Sequence, residues 1–399
     1  WWFYVLRASR RASGLVQCDH LMHTDENKES LRRKPVDKAA PSGRKREAKG
    51  LRFFHVADVH LGMEPDLGCP WSKRRQEEIW DSFRRLIDRV REEKPEVLLI
   101  AGDLFHRQPL LRELKELNSL FASVPDTQVV LMAGNHDYLK KGSYYLSASW
   151  PENVTGLFGQ TCERVDFPKY SLSVYGCSYY SREITENLYG DVRPSGPMRY
   201  HILLAHGGDE RHSPWKKEEM AAAGFDYIAC GHIHKPEILI PGRMAYAGAL
   251  EPTTLNQTGE HGYIDGVLDA RGIRISFVPF AVCEYVQLTI PVDEDTTQYS
   301  LEQELAAEME RRGAENIYRV TLEGTRSENL EFSLKRLQGT GNVVEIVDQT
   351  RPAYRLEQLK RQYAGSLIGA YVEHFEGAEN PLEQKALYYG LEALLNARQ

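Results

Sequence analysis

Short apolar runs along this chain stop abruptly at polar residues. Phe53–Ala57, Val97–Ala101, Val129–Ala133, Ile202–Ala205 and Tyr227–Cys230 all have this form. Runs of four or five apolar residues without alternation predict strands buried on both faces. Between the first two lies Ser72–Lys94, where Ile79, Phe83, Leu86, Ile87 and Val90 recur at helical spacing with Arg and Glu opposite. Strand, helix, strand predicts an α/β layered sheet. Further strands are expected at Leu172–Tyr175, Met244–Ala247, Tyr263–Leu268 and Ile273–Val278, completing a first domain over 51–283. A small α+β unit over 284–352 follows. It has strands at Tyr285–Ile290, Ile317–Leu322 and Val343–Val347, and helices from Ser300, with Gln303 placed for a capping box, and over Leu330–Leu337. Residues 353–399 read as helical: Leu356, Leu359, Tyr363, Leu367 and Tyr371 form one stripe. Asn380-Pro381-Leu382-Glu383 opens a second helix with an Asn N-cap and Pro at its first position.

Residues 1–50 differ. Their apolar start, Trp1–Leu6, is too short for a secretory core. The stretch 19–50 is polar and basic, and the expectation is a disordered basic tail or a gene-model artefact. These fifty residues carry a net +6, leaving −13 on the rest of a chain whose total is −7. Bulk positive charge therefore does not recruit nucleic acid; any such role rests on local features, metal or a partner. At 27% charged and 42% hydrophobic residues, a mostly disordered chain is excluded. No apolar stretch approaches the ~18 residues of a membrane span. The six cysteines are scattered, with no CxxC pair, and a reducing cytoplasm is the expected location.

The ends of the predicted strands carry the chemistry. Asp58-Val59-His60 follows the first, Gly102-Asp103 the second, Gly134-Asn135-His136-Asp137 the third, His206-Gly207-Gly208 the fourth and Gly231-His232-Ile233-His234 the fifth. Loops at the carboxyl ends of strands build the sites of open α/β sheets. Asp58, His60, Asp103, Asn135, His206, His232 and His234 make seven donors of imidazole, carboxylate and amide type. Seven is too many for one ion and suits two, with one carboxylate shared. Two ions about 3.5–4 Å apart clamp the attacking and leaving oxygens of a phosphoryl displacement. His136 need not ligate; oriented by Asp137, it is placed to protonate a leaving alkoxide. His106 is a second non-ligand candidate. His55, inside the first strand, reads as a core or supporting residue. Lys73-Arg74-Arg75 and Lys140-Lys141 read first as solvated faces, with phosphate contact as the alternative.

Taken together and in this order, these motifs resemble the calcineurin-like metallophosphoesterase superfamily. The resemblance implies a four-layer β-sandwich flanked by helices. It implies that Asp58, His60, Asp103 and His234 hold one metal, that Asp103, Asn135, His206 and His232 hold the other, and that His136 is catalytic. Gly102-Asp103-Leu104-Phe105-His106 further resembles the SbcD-type DNA repair exonucleases, with the C-terminal end similar to their shorter Gram-positive branch. That resemblance implies a role for His106 in exonuclease action, a capping domain that selects DNA ends, and C-terminal helices that hold an SbcC-type coiled-coil ATPase. It also implies a homodimer. The resulting expectation is a two-manganese phosphodiesterase, a 3′-to-5′ exonuclease with endonuclease capacity, in double-strand-break repair. Two alternatives stand beside it: a phosphodiesterase of small-molecule or cyclic-nucleotide substrates, and a non-catalytic scaffold for the ATPase. The Leu-Phe-His that follows Asp103 speaks against a protein phosphatase.

Overall fold

A computed structural model describes residues 50–378 and 380–397. Both the tail over 1–49 and Cys18 lie outside the described residues. In chain order the strands and helices are β1 (Leu51–Val56), α1 (Ser72–Glu93), β2 (Val97–Ala101), α2 (Leu111–Ala122), β3 (Gln128–Met132), α3 (Tyr144–Ser147), β4 (Val154–Gly156), β5 (Glu163–Phe167), β6 (Leu172–Gly176), β7 (Tyr200–His206), α4 (Lys217–Ala222), β8 (Tyr227–Gly231), β9 (Glu237–Ile240), β10 (Met244–Tyr246), β11 (Gly262–Asp269) and β12 (Gly272–Pro279). β13 (Tyr285–Val292), α5 (Gln298–Arg312), β14 (Ile317–Arg326), α6 (Leu334–Gln338), β15 (Val343–Asp348), β16 (Arg351–Pro352), α7 (Leu356–Gln362), α8 (Leu367–His374) and α9 (Pro381–Asn396) complete them.

Two six-stranded sheets carry the first part, in the orders β12-β11-β1-β2-β3-β4 and β5-β6-β7-β8-β10-β9. β1 to β4 run parallel, as do β6, β7, β8 and β10; antiparallel strands flank them at three of the four edges, β11 and β12 beside β1, β5 beside β6 and β9 beside β10. Alternate residues of β2 explain the apolar runs. Leu99 and Ala101 pack with Ile202, Leu204 and Ala229 between the sheets. Leu98 and Ile100 face the other way, onto Phe83 and Leu86 of α1 and Leu117 and Phe121 of α2. Met220 of α4 with Ala223 and Phe225 covers the far side of the second sheet. The result is helix, sheet, sheet, helix: the four-layer sandwich.

The third sheet is parallel, β13-β14-β15 with β16 beside the end of β14. Leu301, Leu305 and Met309 of α5 and Leu337 of α6 close its core with Leu288, Ile290 and Val320. Leu359, Ile368, Val372, Leu387 and Leu391 unite the last three helices.

Several sequence expectations change. The cap of α5 is Thr297, whose hydroxyl accepts the N–H of Ser300 at 3.1 Å, so Ser300 lies within the first turn rather than opening it. The stripe Leu356–Tyr371 is two helices, because Gly365 takes φ +75° and the Ser366 side chain caps the second. The Asn380 cap forms as expected, accepting the Leu382 N–H at 2.9 Å. Helices α2, α3 and α4 and strands β4, β5, β9 and β16 had no counterpart in the sequence reading.

Candidate metal centre

β1, β2, β3, β7 and β8 end on the same edge of the sandwich, and the loops that follow bring the seven predicted donors together. Asp58, His60, Asp103, Asn135 and His206 are buried; His232 and His234 are partly so. Ligand atoms of Asp58, His60 and His234 lie within 4.8 Å of one another, as do those of Asp58, Asp103 and His206. Asp103 stands between two imidazoles: its Oδ2 is 3.9 Å from His60 Nε2 and 3.5 Å from His206 Nε2. His60 Nε2 and His234 Nε2 face each other at 2.9 Å. Asn135 Oδ1 lies 2.9 Å from His206 Nε2 and 3.1 Å from His232 Nδ1.

Backbone geometry permits this crowding. Gly102 has φ +87°, and a side chain there would strike the His206 ring. A Cβ on Gly134 would meet the Asp103 carboxylate.

The outer partners turn lone pairs inward. His206 Nδ1 lies 2.9 Å from the Ala101 carbonyl, which only accepts, so Nδ1 carries a proton and Nε2 is the atom aimed at the centre. His232 Nε2 lies 2.7 Å from Asp209, which leaves Nδ1 facing Asn135. Asp103 Oδ1 accepts the His136 N–H at 2.8 Å, yet its buried Oδ2 has no hydrogen-bond partner. A buried carboxylate oxygen without a donor, ringed by imidazole nitrogens and an amide oxygen, fits divalent cations of the zinc, iron or manganese kind.

The electrostatics agree. Burial lifts the Asp58 carboxyl to about 7, with Asp103 adding to the rise. Burial acts the same way on Asp103, but His206 and His60 outweigh it and hold that carboxyl well below the usual range. Burial lowers His206, while Asp103 more than compensates and raises it to about 9. Burial depresses His60, and brings His232 and His234 down to about 4. The pocket thus attracts positive charge at one point and otherwise keeps its imidazoles neutral, as ligands must be.

His106 and His136 sit beside His60, and the backbone N–H of His136 also reaches Asp103. Their rings are 5.4 Å and 4.8 Å from that of His60 and 4.8 Å from each other. His136 is not oriented by Asp137. Its Nδ1 lies 3.1 Å from the His106 carbonyl, whereas Asp137 is turned inward, accepting from Gly134 N, Phe105 N and Tyr145 Oη. Arg75 leaves the basic-patch reading too: it is fully buried against Glu78 and Glu251, while Lys73, Arg74, Lys140 and Lys141 stay exposed. His55 is buried, 3.0 Å from Tyr227 Oη. Two supporting residues escaped the sequence reading. Asp209 follows the turn Gly207-Gly208, a weak signal; Gln257, 2.6 Å from His234 Nδ1, had none.

Residues 51–236 match the calcineurin-like phosphoesterase family. The uncharacterized metallophosphoesterase YhaO of Bacillus subtilis is 30% identical over 302 residues, 70% of this chain and 73% of that protein. The chain therefore belongs to the calcineurin-like metallophosphoesterase family, whose members are phosphoester hydrolases with a dimetal site. The DNA double-strand break repair protein Mre11 of Methanocaldococcus jannaschii is 29% identical over 214 residues, 50% of this chain and 57% of that one. Mre11 of Aeropyrum pernix is 28% identical over 256 residues, 57% and 61% of the two chains. Both alignments span less than two thirds of the Mre11 proteins. Among solved structures, a dimetal phosphatase from Danio rerio overlays at 12% identity with a TM-score of 0.36, over 58% of this chain and 100% of that one, too loosely to bear on the site. Among the described residues, no helix is long and apolar enough to cross a membrane.

Proposed function

We propose that this chain is a manganese-dependent phosphodiesterase of DNA ends, a 3′-to-5′ exonuclease with endonuclease capacity, that works with an SbcC-type coiled-coil ATPase in double-strand-break repair. The observation that carries the hydrolytic part is the unpartnered Asp103 Oδ2 at the meeting point of donors from five strand ends. Asp58, His60, Asp103 and His234 would hold one cation, and Asp103, Asn135, His206 and His232 the other. When bound, the two cations supply the Lewis acidity that lowers the pKa of a water and neutralises charge on the phosphoryl oxygens.

The chain's own groups do the rest. His136 Nδ1 is committed to the His106 carbonyl, so Nε2 of its protonated form is the atom that donates. As the water gives up a proton to solvent and its oxygen bonds to phosphorus, the phosphorus–sugar oxygen bond breaks and the His136 proton passes to the sugar oxygen. His106 Nδ1 lies 3.3 Å from His60 Nδ1. With His60 ligating through Nε2, its Nδ1–H donates to His106, which leaves His106 Nε2–H to hold a phosphoryl oxygen. Burial and the nearby His136 keep His106 below the ordinary histidine range, consistent with this neutral role.

The Mre11 likenesses support DNA as the substrate. The last helices close a small core of their own yet leave Leu367, Leu382 and Tyr389 about 70% exposed, which supports a docked partner. Leu110, Leu111 and Leu146, exposed around α2 and α3, support pairing with a second copy.

The test offers manganese-loaded protein three substrates: end-labelled duplex DNA, a cyclic nucleotide and a generic phosphodiester, with Asp103→Ala as the inactive control. Shortening of duplex from its 3′ ends is the expected result. Turnover of the small substrates with DNA left intact would replace this reading by the small-molecule one. No turnover of any would leave the scaffold.

A further inference from the structure

Asp209 lies outside the seven donors and outside every motif of the sequence. Its loop is a tight turn: Gly207 and Gly208 take φ +128° and +114°, and the Gly208 N–H donates to the His212 carbonyl at 2.7 Å. Within the turn, Asp209 Oδ1 accepts the backbone N–H groups of Arg211 and His212, both at 2.9 Å, and His212 Nδ1 straddles the carboxylate, 2.8 Å from Oδ1 and 3.0 Å from Oδ2. Its other oxygen, Oδ2, is 2.7 Å from His232 Nε2. Four donors therefore fix a carboxylate whose side chain is otherwise 46% exposed. The His212 ring lies 4.3 Å from that of His232 and flanks it.

A neutral imidazole has one N–H and one lone pair, and its outer hydrogen bond decides which faces inward. For His206 that outer partner is a backbone carbonyl, part of β2 and insensitive to side-chain substitution. For His232 it is a side chain.

We propose that Asp209 is a positioning residue for the second cation: its carboxylate fixes His232 as the Nε2–H tautomer and turns the Nδ1 lone pair toward Asn135. His212 serves this arrangement by bracing the carboxylate through Nδ1, which lies close to both of its oxygens, so that the group stays beside His232. The inference rests on the two-cation reading above and adds what sets the second cation's affinity. Removing Asp209 frees the His232 ring to rotate and to take either tautomer, while the first cation's ligands keep their own supports. Loss of such an outer carboxylate typically weakens metal affinity about 10–100-fold.

The test titrates manganese into the metal-free full chain, wild type, Asp209→Ala and Asp209→Asn. It follows stoichiometry by calorimetry and the spin-coupled pair signal by electron paramagnetic resonance. Wild type is expected to take two ions and show the coupled signal. Asp209→Ala is expected to bind the first ion as wild type does and the second about 10–100-fold more weakly, with a single-ion spectrum at intermediate manganese. Asp209→Asn keeps an oxygen that accepts from His232 Nε2–H and is expected to fall between. It also serves if the alanine variant fails to fold, which the metal-free melting temperature reports. Second-ion affinity equal to wild type in the folded variants overturns the proposal, as does equal weakening of both ions. A wild-type chain that takes fewer than two ions overturns the metal-centre reading itself, and this inference with it.

Discussion

Proton competition at the metal centre has a calculable size. In the metal-free chain, Asp58 titrates at about 7 and His206 at about 9, and both must lose their protons before they ligate. Each group still protonated weakens apparent affinity about tenfold per pH unit. Between pH 6.5 and 8.5 apparent affinity is expected to rise by about one to two orders of magnitude, Asp58 and His206 losing their protons as a linked pair because each acts on the other's charge. The stability of the metal-free protein runs the other way. Both groups are raised above their unfolded values, so what they contribute is present at low pH and lost as pH rises, through about 7 for Asp58 and about 9 for His206. The depressed His232 and His234 act only below pH 6.5, where stability falls as pH drops toward about 4. Calorimetry in two buffers of different ionisation enthalpy, at pH 7.5, reads the protons released per binding event. The expected value is about one or more. No proton release, or a manganese affinity that does not change from pH 6.5 to 8.5, would refute the placement of Asp58 and His206 in the site.

Two further predictions concern single residues. His136→Ala is expected to retain both cations by metal analysis while turnover falls about 10²–10⁴-fold; unchanged turnover ends its role as proton donor. Arg75→Met leaves Glu251 buried without its counter-ion and is expected to cost about 3–5 kcal/mol in urea unfolding, whereas a change under about 0.5 kcal/mol contradicts the buried pair.

The strand ends were legible because strands buried on both faces carry few polar residues before the sheet edge, His55 in β1 being the exception among the five runs. The first polar residue after each run then marks where the site begins. What misled was adjacency. Asp137 neighbours His136 in sequence, but consecutive loop side chains point apart, and the Asp137 carboxylate braces Gly134 and Phe105 instead. Arg75 reads as part of a basic run, yet Ile79, Ser82, Phe83 and Leu86 follow at helical spacing, so it lies on the buried face of α1. Helix α2 shows no polar N-cap, since Leu110 holds that position and its N–H is taken by the Glu113 side chain at 2.8 Å. Asp209 and Gln257 reach their histidines from loops whose course only the fold determines.

Backbone strain was equally invisible, and it falls on the donors. Asp58, His60, Asp103 and His232 have φ of +50°, +53°, +49° and +95°, half of the non-glycine residues in that region among those described. Asp and His tolerate it better than most, yet each such residue costs on the order of 1–3 kcal/mol. The strained segments hold one another: Asp58 N donates to the Gly102 carbonyl at 3.2 Å, His60 N to the Asp103 carbonyl at 3.0 Å, and His232 N to both Asp58 oxygens at 2.9–3.0 Å. Two buried carboxylates add repulsion at the same place. Without cations, this edge of the sandwich should therefore open more readily than the core strands that feed it, and cations should close it. At about 100 times the Kd, bound manganese contributes about 2.7 kcal/mol, or roughly 100-fold slower opening-limited exchange of the amides that depend on it. Hydrogen exchange with and without manganese is expected to show that slowing over 57–61, 102–105 and 231–235, while the third sheet, Tyr285–Val292 with Ile317–Arg326, is unchanged. Equal exchange in both states, or slowing spread evenly over all three sheets, would mean that the strain is held by the scaffold alone and that the cations play no part in closing the site.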